Sequence, residues 1–201
     1  MPEAIKSAFL TSRPFSWINT SFPFVAGWLT AGTPLGWPFW LGVFFFLVPY
    51  NLAMYGINDI YDYESDLQNP PKASIEGALL NPSQFRRLWS VILLLGLPPA
   101  AVLPGVGPAA SKLLLLFSLF MVVAYSAPPF RFKEKPLLDS FTSSCHFVTP
   151  LLYGVLLAGG RLSSIAPTSP PISSGVWPAM PSGRSRTFRL TVKQVSARWQ
   201  G

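Results

Sequence analysis

The sequence predicts an all-α membrane protein, a polytopic bundle of transmembrane helices. Half of the 201 residues are hydrophobic and only 11% are charged, whereas roughly 25% are charged in typical soluble domains. Four long stretches contain no charge at all: residues 14–58, 88–111, 113–130 and 140–160. A helix needs about 20 predominantly apolar residues to cross a bilayer. A soluble fold would have to bury all four stretches in one core, so we interpret them as membrane segments.

About five spans fit these stretches. The first stretch is long enough for two helices, because residues 32–36 supply the Gly and Pro that favour a turn between them. The predicted spans are 15–31, 37–57, 88–107, 109–127 and 140–159. The fourth is short and needs Lys112 to extend its charged end to the membrane surface.

The basic residues predict how the chain crosses the membrane. They are concentrated before the first span and in the loops 58–87 and 131–139, whereas the connection at 32–36 has none. By the positive-inside rule these three basic segments face the cytoplasm, in what we expect to be a bacterial cell membrane. Because the charges up to residue 160 lie between spans, the net charge of +7 indicates a bilayer as partner and no nucleic acid.

Acidic residues cluster at the cytoplasmic end of the second span. The chain there carries Asn58, Asp59, Asp62 and Asp66, and on a continuing helix these spacings place the side chains on one face. Carboxylates so placed repel each other unless a cation lies between them, and such oxygen ligands suit Mg²⁺. Asp59, Asp62 and Asp66 are therefore candidate metal ligands. The alternative is a solvated acidic helix end.

Basic residues on the same predicted membrane face could complete a diphosphate site. Lys72 follows the acidic cluster, and Arg131 and Lys133 follow the fourth span. Cations beside a Mg²⁺-carboxylate group are the usual clamp for a diphosphate. The alternative for Arg131 and Lys133 is ordinary positive-inside anchoring. The single histidine, His146, is more commonly a hydrogen-bonded helix residue than a ligand.

Several motifs resemble one family. N-D-x-x-D-x-x-x-D at 58–66 resembles the first aspartate motif of the UbiA superfamily of intramembrane prenyltransferases, and Y-S-x-P-P-x-R-x-K at 125–133 resembles a second patch common in these enzymes. The stretches 12–20, 63–66 and 139–144 look closest to the lycopene elongase branch. The resemblance covers about residues 10–160.

The resemblance implies a helical bundle around a lipid-facing cavity. In this cavity a prenyl diphosphate would ionise and alkylate an apolar acceptor lipid. The acceptors that the resemblance leaves open are lycopene, a quinone, a chlorophyllide and glycerol phosphate. By match to the motif, Asp59, Asp62 and Asp66 would hold Mg²⁺. The residues implied for the diphosphate are Asn58, Lys72, Arg131 and Lys133. The resemblance assigns no acceptor-binding or proton-removing residue.

The C-terminal part departs from the family pattern. Such enzymes have about nine helices and a second aspartate motif, so we divide the chain into a UbiA-like membrane domain, 1–160, and a disordered basic tail, 161–201. Read with the codons shifted by one base, the stretch after residue 173 permits a D-x-x-x-D motif like the missing one. We therefore expect that a frameshift between about residues 160 and 173 placed this tail out of frame.

Two further functions compete with prenyl transfer. The first is a catalytically impaired membrane remnant that binds an isoprenoid diphosphate or helical partners without turnover. The second is a transporter, which is disfavoured because its acidic residues would be expected inside the spans.

Overall fold

A computed structural model describes residues 3–68 and 81–165, and in this part of the chain every regular element is helical. The all-α prediction is confirmed. The α-helices are α1 (Glu3–Thr11), α2 (Ile18–Thr30), α3 (Trp37–Leu47), α4 (Pro49–Tyr61), α5 (Tyr63–Gln68), α6 (Phe85–Val106), α7 (Ala109–Ser126) and α8 (Pro136–Leu157). Short 3-10 turns lie at Pro14–Ser16, Pro82–Gln84, Phe132–Glu134 and Leu162–Ile165.

Three of the described helical segments are long and apolar enough to cross a membrane: Trp37–Tyr61, Pro82–Val106 and Ala109–Ser126. These three segments correspond to the second, third and fourth of the predicted spans. The predicted span 15–31 is a helix of only 13 residues, because the 3-10 turn and Trp17 precede it. The predicted span 140–159 instead begins at Pro136, and its first turns are rich in Ser and Thr.

The second predicted span lies within Trp37–Tyr61 and has one irregularity, at Val48. Helix α3 ends at Leu47, Val48 has φ −112° and ψ −62°, and α4 begins at Pro49. Proline has no N–H to donate and disfavours helical geometry in the residue before it.

Helices α2 and α8 pack so closely that their backbones touch. A methyl group on Gly27 would overlap the carbonyl of Leu151, and one on Gly154 would overlap the carbonyl of Phe24. The fully buried rings of Phe24, Phe46 and Tyr153 pack beside this contact, with ring centroids 5.3–6.2 Å apart. Small residues at such a crossing are typical of helix pairs in membranes.

The two ends of the bundle have different character. At one end the connection after α2 meets the end of α8, where the Thr33 hydroxyl donates to the Ala158 carbonyl at 2.7 Å. At the other end lie the start of α2, the ends of α4 and α7, and the start of α8. This second end carries the acidic and basic side chains proposed above as site residues, as far as the structure describes them.

Two predictions lie outside the described residues. Lys72 belongs to residues 69–80, which the structure does not describe. Of the predicted tail, the structure describes only residues 161–165, in which Leu162–Ile165 form a 3-10 turn. The boundary at residue 160 and the frameshift remain predictions.

Candidate functional site

The acidic motif does not form one uninterrupted helix. Helix α4 ends at Tyr61, and Asp62 bends the chain with φ −98° and ψ −1° before α5 begins. The Asp62 N–H still donates to the Asn58 carbonyl at 2.9 Å, and the Asp66 N–H donates to the Asp62 carbonyl at 2.8 Å. Aspartate competes with the helix backbone for hydrogen bonds and favours helix ends. The continuing helix that the spacing argument assumed is therefore interrupted at Asp62, although both of these i,i−4 hydrogen bonds are kept.

Asp62 lies at the centre of a cluster of opposite charges. The Lys133 ammonium donates to the Asp62 carboxylate and, at 3.2 Å, to the side-chain oxygen of Asn58. An Arg131 guanidinium nitrogen lies 3.9 Å from the same Asp62 oxygen. The Ser126 hydroxyl donates to the Asn58 oxygen at 2.9 Å. The structure therefore brings together four predicted site residues, Asn58, Asp62, Arg131 and Lys133.

The loop after α7 orients the side chains of Arg131 and Lys133 toward Asp62. Arg131 adopts left-handed geometry, with φ 42° and ψ 54°, directly before the Phe132–Glu134 turn. Its guanidinium also pairs with Glu134 at 2.6 Å. The hydrogen bond between them raises the pKa of Arg131 and lowers the pKa of Glu134, so both side chains stay charged at neutral pH.

Asp59 has a different partner, which the sequence did not predict. Its carboxylate is only 6% exposed, and an Arg13 guanidinium nitrogen donates to its Oδ1 at 3.2 Å. The same guanidinium lies 4.4 Å from the centre of the Tyr55 ring, in a cation–π contact. The second carboxylate oxygen, Oδ2, is buried and has no hydrogen-bond partner within the described residues.

Asp66, on α5, is close enough to Asp59 and Asp62 to feel the charge of both carboxylates. Burial, and then the negative charge of Asp62, raise the pKa of Asp66 above its ordinary value, whereas Lys133 and Arg13 act in the opposite direction. No three Asp, Glu, His or Cys side chains among the described residues are grouped closely enough to share one metal ion. The donor chemistry nevertheless suits Mg²⁺, since the predicted ligands are carboxylates and the buried Asp59 Oδ2 is an acceptor without a donor.

A cavity of about 180 Å³ adjoins the charged cluster. Its lining includes Asn58 of that cluster and Arg13, the partner of Asp59, together with Tyr125 and His146. The Tyr125 hydroxyl donates to Asp139 at 3.0 Å. The other lining residues are Met54, Tyr55, Ser143 and Phe147.

Sequence reasoning missed several of these side chains. Arg13 lay in a family-like stretch, but its charge was attributed to membrane orientation. Tyr125 lay in the family-like motif at 125–133, although only the basic residues of that motif were singled out. His146 was considered as the sole histidine of the chain but interpreted as a hydrogen-bonded helix residue, since nothing in its spacing connects it to the acidic motif.

Comparison with known proteins identifies similar sequences. The profile of the UbiA prenyltransferase family matches residues 20–181. The chain is 45% identical to the lycopene elongase/hydratase of Corynebacterium glutamicum over 182 residues, which cover 90% of this chain and 60% of that protein. It is 44% identical over 162 residues to the C(50) beta-cyclic carotenoids biosynthesis protein LbtBC of a Dietzia species, covering 81% of this chain and 38% of that protein.

A more distant relative is archaeal. The lycopene elongase/hydratase of Haloferax volcanii is 33% identical over 172 residues, which cover 83% of this chain and 53% of that protein. The chain thus spans 60% or less of the length of these relatives. No solved structure shows a significant match.

Proposed function

Because the chain belongs to the UbiA prenyltransferase family, we propose that it transfers a prenyl group from an allylic prenyl diphosphate to a lipophilic acceptor. The observation that carries this proposal is the Lys133 ammonium, which is shared between Asn58 and Asp62 with Arg131 beside it. Two cations next to carboxylate and amide oxygens are suited to a diphosphate, because they stabilise the negative charge that grows on the leaving group.

Each part of the site has a role in this proposal. Asp59, Asp62 and Asp66, which are not grouped around one ion in the described conformation, would supply carboxylate oxygens to Mg²⁺ together with the diphosphate. The ion would neutralise diphosphate charge and so ease departure of the leaving group. Lys133 and Arg131, with Lys72 from outside the described residues, would bind phosphate oxygens. Asn58 is held by Ser126 and Lys133, and it would keep Lys133 directed toward the carboxylates. The cavity beside Asn58 would receive the reacting end of the acceptor.

The relatives suggest the substrates. Their names specify lycopene elongation and C(50) carotenoid biosynthesis, so we take dimethylallyl diphosphate as donor and lycopene as acceptor in carotenoid biosynthesis. The family and the apolar helices support an integral membrane protein. The proposed location is a bacterial cell membrane, with the acidic motif on the cytoplasmic side.

The experiment uses the full chain in lipid vesicles with labelled dimethylallyl diphosphate, lycopene and Mg²⁺. We expect extraction to give a labelled carotenoid heavier by one prenyl unit, and EDTA to abolish it. Binding of the diphosphate without any product would instead identify the impaired remnant. Neither binding nor product would overturn the proposal.

A further inference from the structure

A chain of hydrogen bonds runs through three helices and ends at a backbone carbonyl. The Thr149 hydroxyl donates to the Cys145 carbonyl at 2.7 Å. Ser118 lies 2.8 Å from Thr149, and the Tyr50 hydroxyl lies 2.9 Å from Ser118. The Tyr50 hydroxyl is also 3.2 Å from Nδ1 of His146. All of these side chains are buried.

The final carbonyl sets the direction of every bond in this chain. A carbonyl only accepts, and each hydroxyl has a single proton to donate. Thr149 uses its proton on the carbonyl, so Ser118 must donate to Thr149, and Tyr50 must donate to Ser118. Tyr50 then has only lone pairs left for His146, which means that the imidazole donates from Nδ1–H.

The proton on Nδ1 determines the protonation state of the other ring nitrogen, Nε2. A neutral imidazole carries one N–H, so Nε2 of His146 has a free lone pair. This nitrogen is buried and has no hydrogen-bond partner among the described residues, and His146 is only 3% exposed. His146 lines the same cavity as Arg13 and Asn58. An unpaired buried acceptor is costly, which makes this nitrogen a candidate for a role in ligand chemistry.

Three of the other polar side chains around this cavity are already hydrogen-bonded, and the Tyr55 ring contacts the Arg13 guanidinium. Asn58 accepts from Ser126 and Lys133 through its oxygen. Tyr125 and Ser143 donate to Asp139, at 3.0 and 3.4 Å. Arg13 is a cation and has no lone pair to offer. Among the side chains that line the cavity, His146 is thus the one with a neutral nitrogen whose lone pair can accept a proton.

We propose, on the basis of the prenyl transfer inferred above, that Nε2 of His146 accepts the proton that the alkylated acceptor loses when it forms an alkene. The diphosphate departs with the C–O electron pair, and a C=C electron pair of the acceptor forms the new C–C bond. This leaves a cation on the adjacent acceptor carbon. A neighbouring C–H bond then supplies its electron pair to a new C=C bond, and its proton passes to Nε2.

The size of the cavity agrees with this role. At about 180 Å³ it is smaller than the roughly 300–1,000 Å³ of sites that enclose a whole ligand. It can take the reacting end of a long acceptor while the remainder lies among apolar helices or lipid. His146 also lies between two aromatic rings, with centroids 6.2 Å from Tyr50 and 5.6 Å from Tyr125.

The first test needs no turnover. Since the chain has a single histidine, ¹⁵N-histidine labelling of the full chain in detergent micelles gives the NMR signals of one imidazole. We expect a protonated Nδ1 and an unprotonated Nε2, and we expect Tyr50→Phe to move the proton to Nε2. A proton on Nε2 in the unsubstituted chain overturns the proposal.

The second test measures how the cation is consumed. In His146→Asn the amide can still donate to Tyr50, but the base is gone. We expect the alkene product to fall by roughly 100-fold, the scale of general-base contributions, with water capture giving an alcohol instead. Diphosphate release, which precedes proton loss, is expected to persist. Ser144→Ala is the control, because Ser144 is exposed on the same helix and donates only locally, to Ser140.

The outcomes separate this inference from the proposed function. An unsubstituted chain that releases no diphosphate overturns the proposed function, and the role of His146 with it, since no proton would need to be removed. Turnover with the same products and rates in His146→Asn and Ser144→Ala overturns the role of His146 alone.

Discussion

Two arginines in left-handed backbone geometry hold the two central aspartates. Arg13 has φ 49° and Arg131 has φ 42°, a conformation that costs on the order of 1–3 kcal/mol for residues other than glycine. Each directly precedes a 3-10 turn, and each places its guanidinium beside a carboxylate of the acidic motif, Asp59 or Asp62. The strained backbone is thus found where it aims a cation at the candidate site.

Removing Arg13 leaves a charge without its partner. In Arg13→Ala the Asp59 carboxylate, 6% exposed, would lose its ion pair. Breaking a buried pair from one side costs on the order of 3 kcal/mol, so we expect the free energy of unfolding in detergent to fall by about that amount. Asp59→Asn in the Arg13→Ala background should restore much of it, because the amide carries no charge. A double variant no more stable than Arg13→Ala would contradict the buried ion pair.

Lys133 and Lys135 offer a matched comparison. Lys133 bonds to Asp62 and Asn58, whereas Lys135 is exposed over the Phe132 ring at 5.7 Å. A hydrogen bond to a charged group contributes roughly 1.5–3 kcal/mol. We expect Lys133→Ala to weaken Mg²⁺-dependent binding of an unreactive prenyl diphosphate analogue by about 10-fold to 100-fold. Lys135→Ala removes the same charge and should change this affinity little; equal losses would indicate a general charge effect.

At the scale of the helices, sequence spacing predicted the local contacts and missed the distant ones. Asn58 and Asp62 are one turn apart, and their closeness follows from helix geometry. The pairing of Arg13 with Asp59 joins residues 46 positions apart, and no periodicity encodes it. The orientation of His146 depends on hydroxyls from α4, α7 and α8, so it emerges only when these helices are packed together.

The helix breaks were predictable only in part. Pro49 is a known disruptor of the helix before it, yet the hydrophobic run at 37–57 outweighed it in the span prediction. The bend at Asp62 depends on the balance between helix continuation and the charges around it. Those charges include Lys133 from a distant loop, which the local sequence does not reveal.

The contact between α2 and α8 depends on glycine. Because a methyl group on Gly154 would meet the Phe24 backbone, Gly154→Ala must push the two helices apart. Overpacking of this kind costs about 1–3 kcal/mol, and we expect the thermal unfolding temperature in detergent to fall. Gly96→Ala in α6 is the control, because no atom lies within 4 Å of the added carbon. There alanine should stabilise the helix by about 0.5–1 kcal/mol, and a loss of stability in both variants would refute the packing account.

At the scale of the whole molecule, composition predicted the fold class. The placement of the charges predicted that the end of α4 and the loop after α7 lie at the same end of the bundle. The charge-free stretches contain the long apolar helices, and the acidic and basic motifs come together at one end of the bundle. Charge-free length alone does not reveal that α2 has only 13 residues or that α8 begins with polar turns. α2 and α8 owe their places to packing against each other.

Membrane orientation can be tested by labelling. We expect a cysteine at Glu64 to face the cytoplasm and one at Leu35, which is 53% exposed, to face outward, as the positive-inside rule requires. Each is introduced into Cys145→Ala, because Cys145 is the sole native cysteine. An impermeant maleimide on intact cells should label only Leu35→Cys, and Glu64→Cys only after permeabilisation. The reverse pattern would overturn the orientation.

The central claim is that Asp62, with its cations, forms a diphosphate site, and Mg²⁺-dependent release of diphosphate from a prenyl diphosphate tests it most directly. Asp62→Asn keeps the shape but removes the charge, whereas Glu64→Gln makes the same change at an exposed carboxylate two residues away. Loss of a group that stabilises transition-state charge lowers turnover by about 10²–10³-fold. We predict a loss of that size in Asp62→Asn and normal release in Glu64→Gln. Undiminished release in Asp62→Asn would contradict the account.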